Sequence, residues 1–234
     1  MKTHLRALDQ YLDKMLTIIL ADSEFETIPA ELWNETGILK YARSKQKRPG
    51  NLLLDASYHH TAIKKIDPTE VNRRGRPDIV HMFLMIGLES ILNKEKMLRL
   101  YVHTRNDYVI SVDPNTRIPK NYNRFVGLME SLFLNKQVPD SKTPLLKLEK
   151  CSLGELIKKL DVTPLLLHPN AENAKLSEWL NKDCTVIIGG FSEGDFRSDL
   201  TAIKNRISIF SKELMSWSVE IEAIANYERF FLKE

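Results

Sequence analysis

The chain has 234 residues, of which 43% are hydrophobic and 28% are charged. This is ordinary globular usage, so collagen-like, mucin-like and low-complexity classes are excluded and a substantial core is expected. The net charge of +3 is small, because 34 lysine and arginine residues are opposed by 31 aspartate and glutamate residues. By itself, this net charge neither indicates nor excludes a polyanionic partner.

No segment of the sequence predicts membrane association. The longest uncharged apolar stretch, residues 82–88, is far shorter than the ~20 residues that cross a bilayer. The N-terminus carries Asp9 and Asp13 and lacks the organisation of a signal peptide. We therefore expect a cytoplasmic protein with no membrane partner.

The cysteine and histidine residues predict no metal site. Cys151 and Cys184 have neither the pairing of a zinc site nor the number typical of a disulfide framework, so we expect both to be small buried groups. His59 and His60 are adjacent, so they cannot lie on one side of a helix or strand.

Short apolar runs alternate with amphipathic runs of helix length along the chain. In the first half of the chain, the pattern predicts strands at residues 18–21 and 52–55, a helix at 78–93, strands at 98–104 and 108–112, and a helix at 123–134. In the second half it predicts a strand at 145–148, a helix at 152–160, a strand at 165–167, a helix at 175–181, a strand at 186–188, a strand or extended loop at 207–210, and a helix at 213–231. Pro77 suits the first helical position, and Ser152 with Glu155 forms a capping signal.

This alternation predicts an α/β fold with a mostly parallel sheet and helices on both faces. We interpret residues 1–234 as one domain. Residues 24–50 fit the alternation poorly, and we interpret them as a peripheral insertion.

A glycine-rich loop, residues 189–195, follows a predicted strand. It lacks the lysine of a P-loop and does not match the G-x-G-x-x-G pattern of dinucleotide-binding folds. Two interpretations remain: a plain turn, or a loop whose backbone approaches a ligand at the carboxyl end of the sheet.

Positive charge is concentrated in three segments. Their basic residues are Lys40, Arg43, Lys45, Lys47 and Arg48, then Arg73, Arg74 and Arg76, then Arg117, Lys120 and Arg124. Each segment alone is typical of a solvated face. Three together, with Tyr122 and Phe125 interleaved, favour a nucleic-acid surface that pairs with phosphates and stacks on bases.

Several of these segments together resemble the Emg/Nep family of pseudouridine methyltransferases, within the SPOUT superfamily. The most specific blocks are Arg76-Pro77-Asp78 and Thr116-Arg117-Ile118-Pro119. Residues 101–104, 123–129, 165–169, 188–191 and 207–217 support the resemblance, and the short N-terminus is similar to archaeal rather than eukaryotic members.

The resemblance implies an enzyme that uses S-adenosylmethionine to methylate N1 of a pseudouridine in small-subunit ribosomal RNA, during biogenesis of that subunit. It also implies a homodimer and a SPOUT-type fold whose C-terminal trefoil knot lies in a cofactor-binding part around residues 160–220. A non-catalytic assembly factor that binds precursor RNA, and a SPOUT enzyme that methylates a ribose 2′-hydroxyl, are the alternatives.

The same resemblance implies the site residues. The cofactor would be held by Gly189, Gly194, Ile207, Ser208, Ile209, Phe210, Ser211 and Lys212, and RNA by Arg76, Arg117, Lys120 and Arg124. Arg76 and Asp78 are the catalytic candidates, with Asp78 orienting Arg76, and either Asp78 or solvent would take the N1 proton. Lys120 differs from the arginine of some members, a change that a phosphate contact tolerates.

Overall fold

The computed structural model describes residues 14–232, so the expectation about the N-terminus falls largely outside the described residues. Strand β1 (Met15–Ser23) lies at the centre of the sheet. Its apolar side chains alternate between two hydrophobic cores: Leu16, Ile18 and Leu20 face one core, and Ile19 and Ala21 face the other. This is the pattern of a strand buried on both faces.

Within residues 14–232 the sheet has eight strands, in the order β4-β5-β3-β2-β1-β7-β6-β8. The others are β2 (Leu98–Thr104), β3 (Tyr108–Val112), β4 (Gln137–Val138), β5 (Leu146–Lys150), β6 (Leu165–Leu167), β7 (Asp183–Gly189) and β8 (Arg206–Ile207). Strands β2, β1, β7, β6 and β8 run parallel, while β3, β4 and β5 add antiparallel pairs at one side. The carboxyl ends of the five parallel strands therefore meet at one edge.

Helices cover both faces of this sheet. They are α1 (Thr36–Lys45), α2 (Ala56–Ile66), α3 (Pro77–Glu89), α4 (Ile91–Lys94), α5 (Tyr122–Asn135), α6 (Leu153–Leu160) and α7 (Ser216–Phe231). Helices α3, α5 and α7 pack in the larger core, and α6 packs in the smaller one. The α/β fold with a mostly parallel sheet and helices on both faces is confirmed.

A third hydrophobic cluster lies apart from the sheet. It joins α1, α2 and the segments beside them through Ile28, Leu32, Ile38, Ala42, Leu52, Leu54, Ala62 and Ile63. We call residues 27–66 the α1–α2 lobe.

Most predicted elements are present, with some differences. The prediction of a strand at residues 52–55 is wrong, because among these four residues only Leu53 forms a β-bridge, and its partner is Thr27. The helix predicted at residues 175–181 is only a 3-10 turn, Leu176–Glu178, and the helix predicted at 78–93 divides at Ser90 into α3 and α4. Helices α1 and α2 were not predicted.

The local details that the sequence predicted are present as well. Ser152 and Glu155 form a full capping box at the start of α6. Cys151 and Cys184 are both free and buried. Across residues 14–232, no helix is long and apolar enough to cross a membrane.

Candidate functional site

A pocket opens where β6, β7 and β8 end, in the place where open α/β sheets bind ligands. Three loops surround it: one follows β6, one follows β7, and one joins β8 to α7. The lining residues are Leu167, His168, Pro169, Ile188, Gly189, Phe191, Ser192, Glu193, Gly194, Phe196, Ser208, Ile209, Phe210, Lys212, Glu213, Leu214, Ser216 and Val219.

Most of the cofactor residues that the sequence predicts lie in this lining. Gly189, Gly194, Ser208, Ile209, Phe210 and Lys212 all belong to it. Ile207 does not, because it pairs with Leu167 in the sheet and is only 1% exposed within the larger core. Ser211 is exposed and also lies outside the lining.

Several lining residues were not among the predicted site residues. His168 and Phe191 lie in loops that carried the family resemblance, so their position directly after a strand was a usable signal. Ser216, at the first turn of α7, lies in residues 207–217, which also support the resemblance, but it does not follow a strand directly. Its hydroxyl donates a hydrogen bond to the carbonyl of Gly189 and so ties α7 to the end of β7.

The backbone of the loop after β7 explains why glycine occupies two of its positions. At Gly190, a Cβ atom would lie 2.7 Å from the Cα of Ser23, so only glycine lets β7 end this close to β1. At Gly194, the backbone has a φ of +81°, a conformation that other residues adopt only with strain.

Hydrogen bonds from neighbouring residues fix this loop. Arg73 donates through Nη1 to the carbonyl of Asp195 at 2.6 Å, and its guanidinium lies 4.3 Å from the ring centre of Phe191. The carboxylate of Asp195 pairs with Nε2 of His168 at 2.9 Å, and this hydrogen bond is the main cause that lowers the pKa of Asp195. The loop is therefore tied to both sides of the pocket.

Asp22 anchors the end of the same loop. Its carboxylate accepts hydrogen bonds from the backbone N–H groups of Arg197 and Ser198, at 2.7 and 2.9 Å, and from the Ser198 hydroxyl at 2.6 Å. Burial alone would raise the pKa of Asp22, but hydrogen bonds from His103 and Ser198 lower it to about 2. Asp22 is therefore ionised at neutral pH and holds the loop as an acceptor.

Two stretches of backbone around the pocket keep unpaired donors. Within residues 14–232, the N–H groups of residues 191–195 and 209–215 donate no hydrogen bond to the protein. The pocket thus combines apolar walls with backbone donors that a polar ligand can engage.

A second pocket lies against the start of α3. It is lined by Asp55, Ala56, Ser57, Gly75, Arg76, Asp78 and Tyr122. The Arg76 guanidinium donates through Nε to Oδ1 of Asp78 at 2.8 Å and through Nη2 to Oδ2 at 2.7 Å. Both side chains keep contact with solvent, since 26% of Arg76 and 46% of Asp78 are exposed.

The other predicted RNA residues lie on the surface nearby. Arg117, Lys120 and Arg124 are all exposed, and none of them makes an ion pair within the described part of the chain. The segment that carries them packs against α3, because the His81 ring pairs with the carbonyl of Pro119 at 2.9 Å.

The second basic segment does not form a basic surface as a whole. Arg73 pairs with the fully buried Glu24 at 2.6 Å, and Arg74 pairs with Glu26 at 2.7 Å. Glu24 also pairs with Arg105, yet its burial outweighs both arginines and raises its pKa. Of this segment, only Arg76 remains available on the surface.

Residues 72–76 connect the two pockets. The Ser192 hydroxyl donates to the carbonyl of Asn72 at 2.8 Å. At the other end, the N–H of Arg76 donates to the carbonyl of Glu24 at 2.9 Å, and the N–H of Glu24 donates to Gly190 at 3.1 Å. One short segment therefore touches the loop after β7 and carries the Arg76–Asp78 pair.

Comparisons with known proteins agree on one family. A family model described as EMG1/NEP1 methyltransferase matches residues 18–228. The chain is 49% identical over 218 residues to "Ribosomal RNA small subunit methyltransferase Nep1" of Thermoplasma volcanium, covering 92% of this chain and 98% of the relative. It is 47% identical over 222 residues to the protein of the same name from Pyrococcus furiosus, covering 92% and 97%.

A solved structure is similar as well. It is the crystal structure of Archaeoglobus fulgidus Nep1 bound to S-adenosylhomocysteine, with a TM-score of 0.83 and 32% identity. The match covers 94% of this chain and all of that one. The similarity therefore extends over nearly the whole fold, including both pockets.

Proposed function

The chain belongs to the EMG1/NEP1 methyltransferase family, and from this premise we propose that it methylates N1 of a pseudouridine in small-subunit ribosomal RNA, with S-adenosylmethionine as methyl donor. The observation that carries the proposal is the short connection, through residues 72–76, between the pocket at the carboxyl ends of β6, β7 and β8 and the surface that carries Arg76. Both substrates of a methyl transfer could bind on the two sides of this connection.

The residues of the first pocket fit S-adenosylmethionine. Leu167, Ile188 and Val219 provide apolar walls suited to an adenine ring, and the unpaired N–H groups of residues 209–215 suit polar atoms of the ligand. Lys212 suits the carboxylate of the cofactor and Glu213 its cationic groups. When bound, the cofactor supplies a methyl group made electrophilic by its sulfonium.

On the RNA side, the four basic residues hold the phosphate backbone. Arg76, Arg117, Lys120 and Arg124 are the cations of this surface, and phosphate pairing dominates the affinity of proteins for nucleic acids. The target base has to leave its stack to reach the first pocket. Pseudouridine has a free N1–H because its ribose is bonded to carbon, so uridine offers no equivalent acceptor.

Asp78 acts as a positioning residue for Arg76. Both carboxylate oxygens accept hydrogen bonds from the guanidinium, so the arginine is already held in one orientation and loses less side-chain entropy when RNA binds. In this role Asp78 supports RNA binding, and the N1 proton leaves to solvent.

The proposal includes a homodimer. Phe210, Leu214 and Met215 are exposed by 51%, 39% and 58% beside the first pocket. Large exposed apolar side chains concentrated in one segment are typical of an interface, and a second copy of the chain would cover them.

Transfer of labelled methyl groups tests the function. Transcripts of small-subunit ribosomal RNA with pseudouridine at single positions are incubated with the protein and labelled S-adenosylmethionine, beside matched transcripts that contain uridine. We expect incorporation only with pseudouridine. RNA binding without any incorporation would instead support the non-catalytic assembly factor.

A further inference from the structure

Helix α1 and the turn after it carry basic residues that the proposed site does not use. The segment of residues 36–48 contains five lysine or arginine residues and no acidic residue. Lys40, Arg43 and Arg48 are exposed and make no ion pair within the described chain. This contrasts with Arg73 and Arg74, whose charges are neutralised by buried glutamates.

A cleft separates the α1–α2 lobe from α5. Its lining includes Tyr41, Lys45, Tyr58 and Tyr122. The rings of Tyr41 and Tyr58 stack with centres 5.2 Å apart, and Nζ of Lys45 lies 5.4 Å from the centre of the Tyr41 ring. Tyr58 is 56% exposed, so one face of this aromatic pair is open to a further ring.

The two carboxylates in the cleft are already neutralised or bonded. Glu130 pairs with Lys47 at 2.6 Å and accepts from the N–H of Leu53. Asp55 accepts from the N–H of Ser57 at 2.8 Å. Asp55 keeps its charge, but Lys45 lies in the same cleft, so the charged residues of the lining balance. The exposed cations Lys40, Arg43 and Arg48 therefore make the surface around the cleft positive.

The cleft is continuous with the pocket that contains Arg76. Asp55 and Tyr122 line both, and the Tyr122 hydroxyl donates to Oδ2 of Asp55 at 2.6 Å. A strand of nucleic acid held by Arg76 can therefore pass Tyr122 and reach Tyr58 and α1 without leaving the surface.

We propose that this cleft binds the single-stranded RNA next to the target nucleotide. Lys45, which lines the cleft, pairs with a phosphate of the strand inside it, and Tyr58 stacks on one of its bases. Lys40 and Arg43 pair with phosphates where the strand continues over the exposed side of α1. Phosphate pairing combined with base stacking on exposed aromatic rings is the usual way to bind single strands. The inference rests on the proposed function, because it extends the RNA that the Arg76 surface holds.

Two RNAs and two sets of variants test the inference. The short RNA contains the pseudouridine with one nucleotide on each side, and the long RNA contains the same core with its natural flanking sequence. The test variant combines K40A, R43A and K45A. The matched control combines K147A, K158A and K204A, three exposed lysines on β5, on α6 and before β8.

We expect the test variant to bind the long RNA about tenfold more weakly, with a shallower dependence on salt, by about 2 in the logarithmic slope for three phosphate contacts to a single strand. Its affinity for the short RNA and its turnover at saturating RNA should equal those of the wild type. Tyr58→Ala should weaken binding of the long RNA, whereas Tyr58→Phe should not, because stacking needs the ring and not the hydroxyl.

Unchanged affinity of the test variant for the long RNA would overturn the inference, as would an equal loss in the control variant. If the wild type methylates both RNAs with the same KM, the inference fails and the proposed function stands. If the wild type binds and methylates neither RNA, both fail.

Discussion

The geometry of Asp78 with Arg76 supports the positioning role that we propose for it. The two hydrogen bonds between them, of 2.8 and 2.7 Å, occupy both carboxylate oxygens. Pairing with a guanidinium favours the ionised carboxylate and makes it a weaker base, whereas a positioning residue needs only the pairing that is present.

We therefore predict that Asp78→Asn and Arg76→Ala weaken RNA binding in the same direction, by about 1–3 kcal/mol for the loss of a good contact. The double variant should be less than additive, because both changes remove one interaction. Titration of the three variants with RNA measures this. Normal RNA binding by Asp78→Asn with no turnover at saturating RNA would instead identify Asp78 as the base.

Glu220 is a buried carboxyl group in α7 that has no hydrogen-bond partner among residues 14–232. Neither carboxylate oxygen has a hydrogen-bond partner in the structure, and burial raises its pKa well above the usual value. Such a group contributes most to stability at low pH, where it is protonated in both states. The contribution decreases as the pH rises from the unfolded-state pKa to the folded-state pKa.

We predict that Glu220→Gln increases the free energy of unfolding relative to the wild type more at pH 8 than at pH 5. The difference should grow by up to about 1.4 kcal/mol per pH unit between the two pKa values. Urea denaturation at both pH values measures it. An equal effect at pH 5 and pH 8 would show that Glu220 titrates normally.

Gly194 shows that the sequence alone does not distinguish a glycine needed by a ligand from one needed by the backbone. The sequence assigned Gly194 to close approach of a ligand, and it does line the pocket. Its φ of +81° nevertheless favours glycine without any ligand. A Gly194→Val variant would disturb the loop itself and could not test cofactor binding, so the side chains that hold the loop make better targets.

The segment of residues 72–76 matters most for function, because it connects the two pockets. In the sequence its arginines predict one basic patch. In the structure Arg73 donates a hydrogen bond to the loop after β7, and Arg74 forms an ion pair with Glu26. A one-dimensional pattern gives the number of charges and not the direction of each side chain. The buried glutamates that pair with them lie about 50 residues earlier in the chain.

We predict that Arg73→Lys lowers the affinity for S-adenosylmethionine about three- to tenfold, roughly 1 kcal/mol, because lysine keeps the charge beside Glu24 but loses the planar stacking on Phe191. Arg74→Lys is the matched control, since Arg74 contacts Glu26 and not the loop. Calorimetric titration with the cofactor measures both. Equal losses in the two variants would mean that Arg73 acts only on general stability.

Local pattern predicted the elements that depend on local contacts. The strands β2 and β3 lie next to each other in sequence and were predicted at their observed bounds. Residues 52–54 alternate like a strand, with Leu53 in the larger core and Leu52 and Leu54 in the lobe. They lack a neighbouring strand, so the alternation reflects two cores and not a ladder.

At the scale of the whole molecule, the arrangement of remote segments could not be predicted from the residues alone. Strand β1 pairs with β7, more than 150 residues later in the chain, and this pairing brings Gly190 next to Ser23. No local signal encodes it. The resemblance to a family supplied what periodicity could not, and the trefoil knot that it implies stays a prediction.

The chemical position of the methyl group tests the central claim most directly. A fragment of small-subunit ribosomal RNA with a single pseudouridine is incubated with the protein and S-adenosylmethionine, digested to nucleosides and analysed by mass spectrometry beside authentic standards. We predict one methyl group, on N1 of the pseudouridine, and none in the matched uridine RNA. A methyl group on a ribose 2′-hydroxyl, or equal methylation of the uridine RNA, would contradict it.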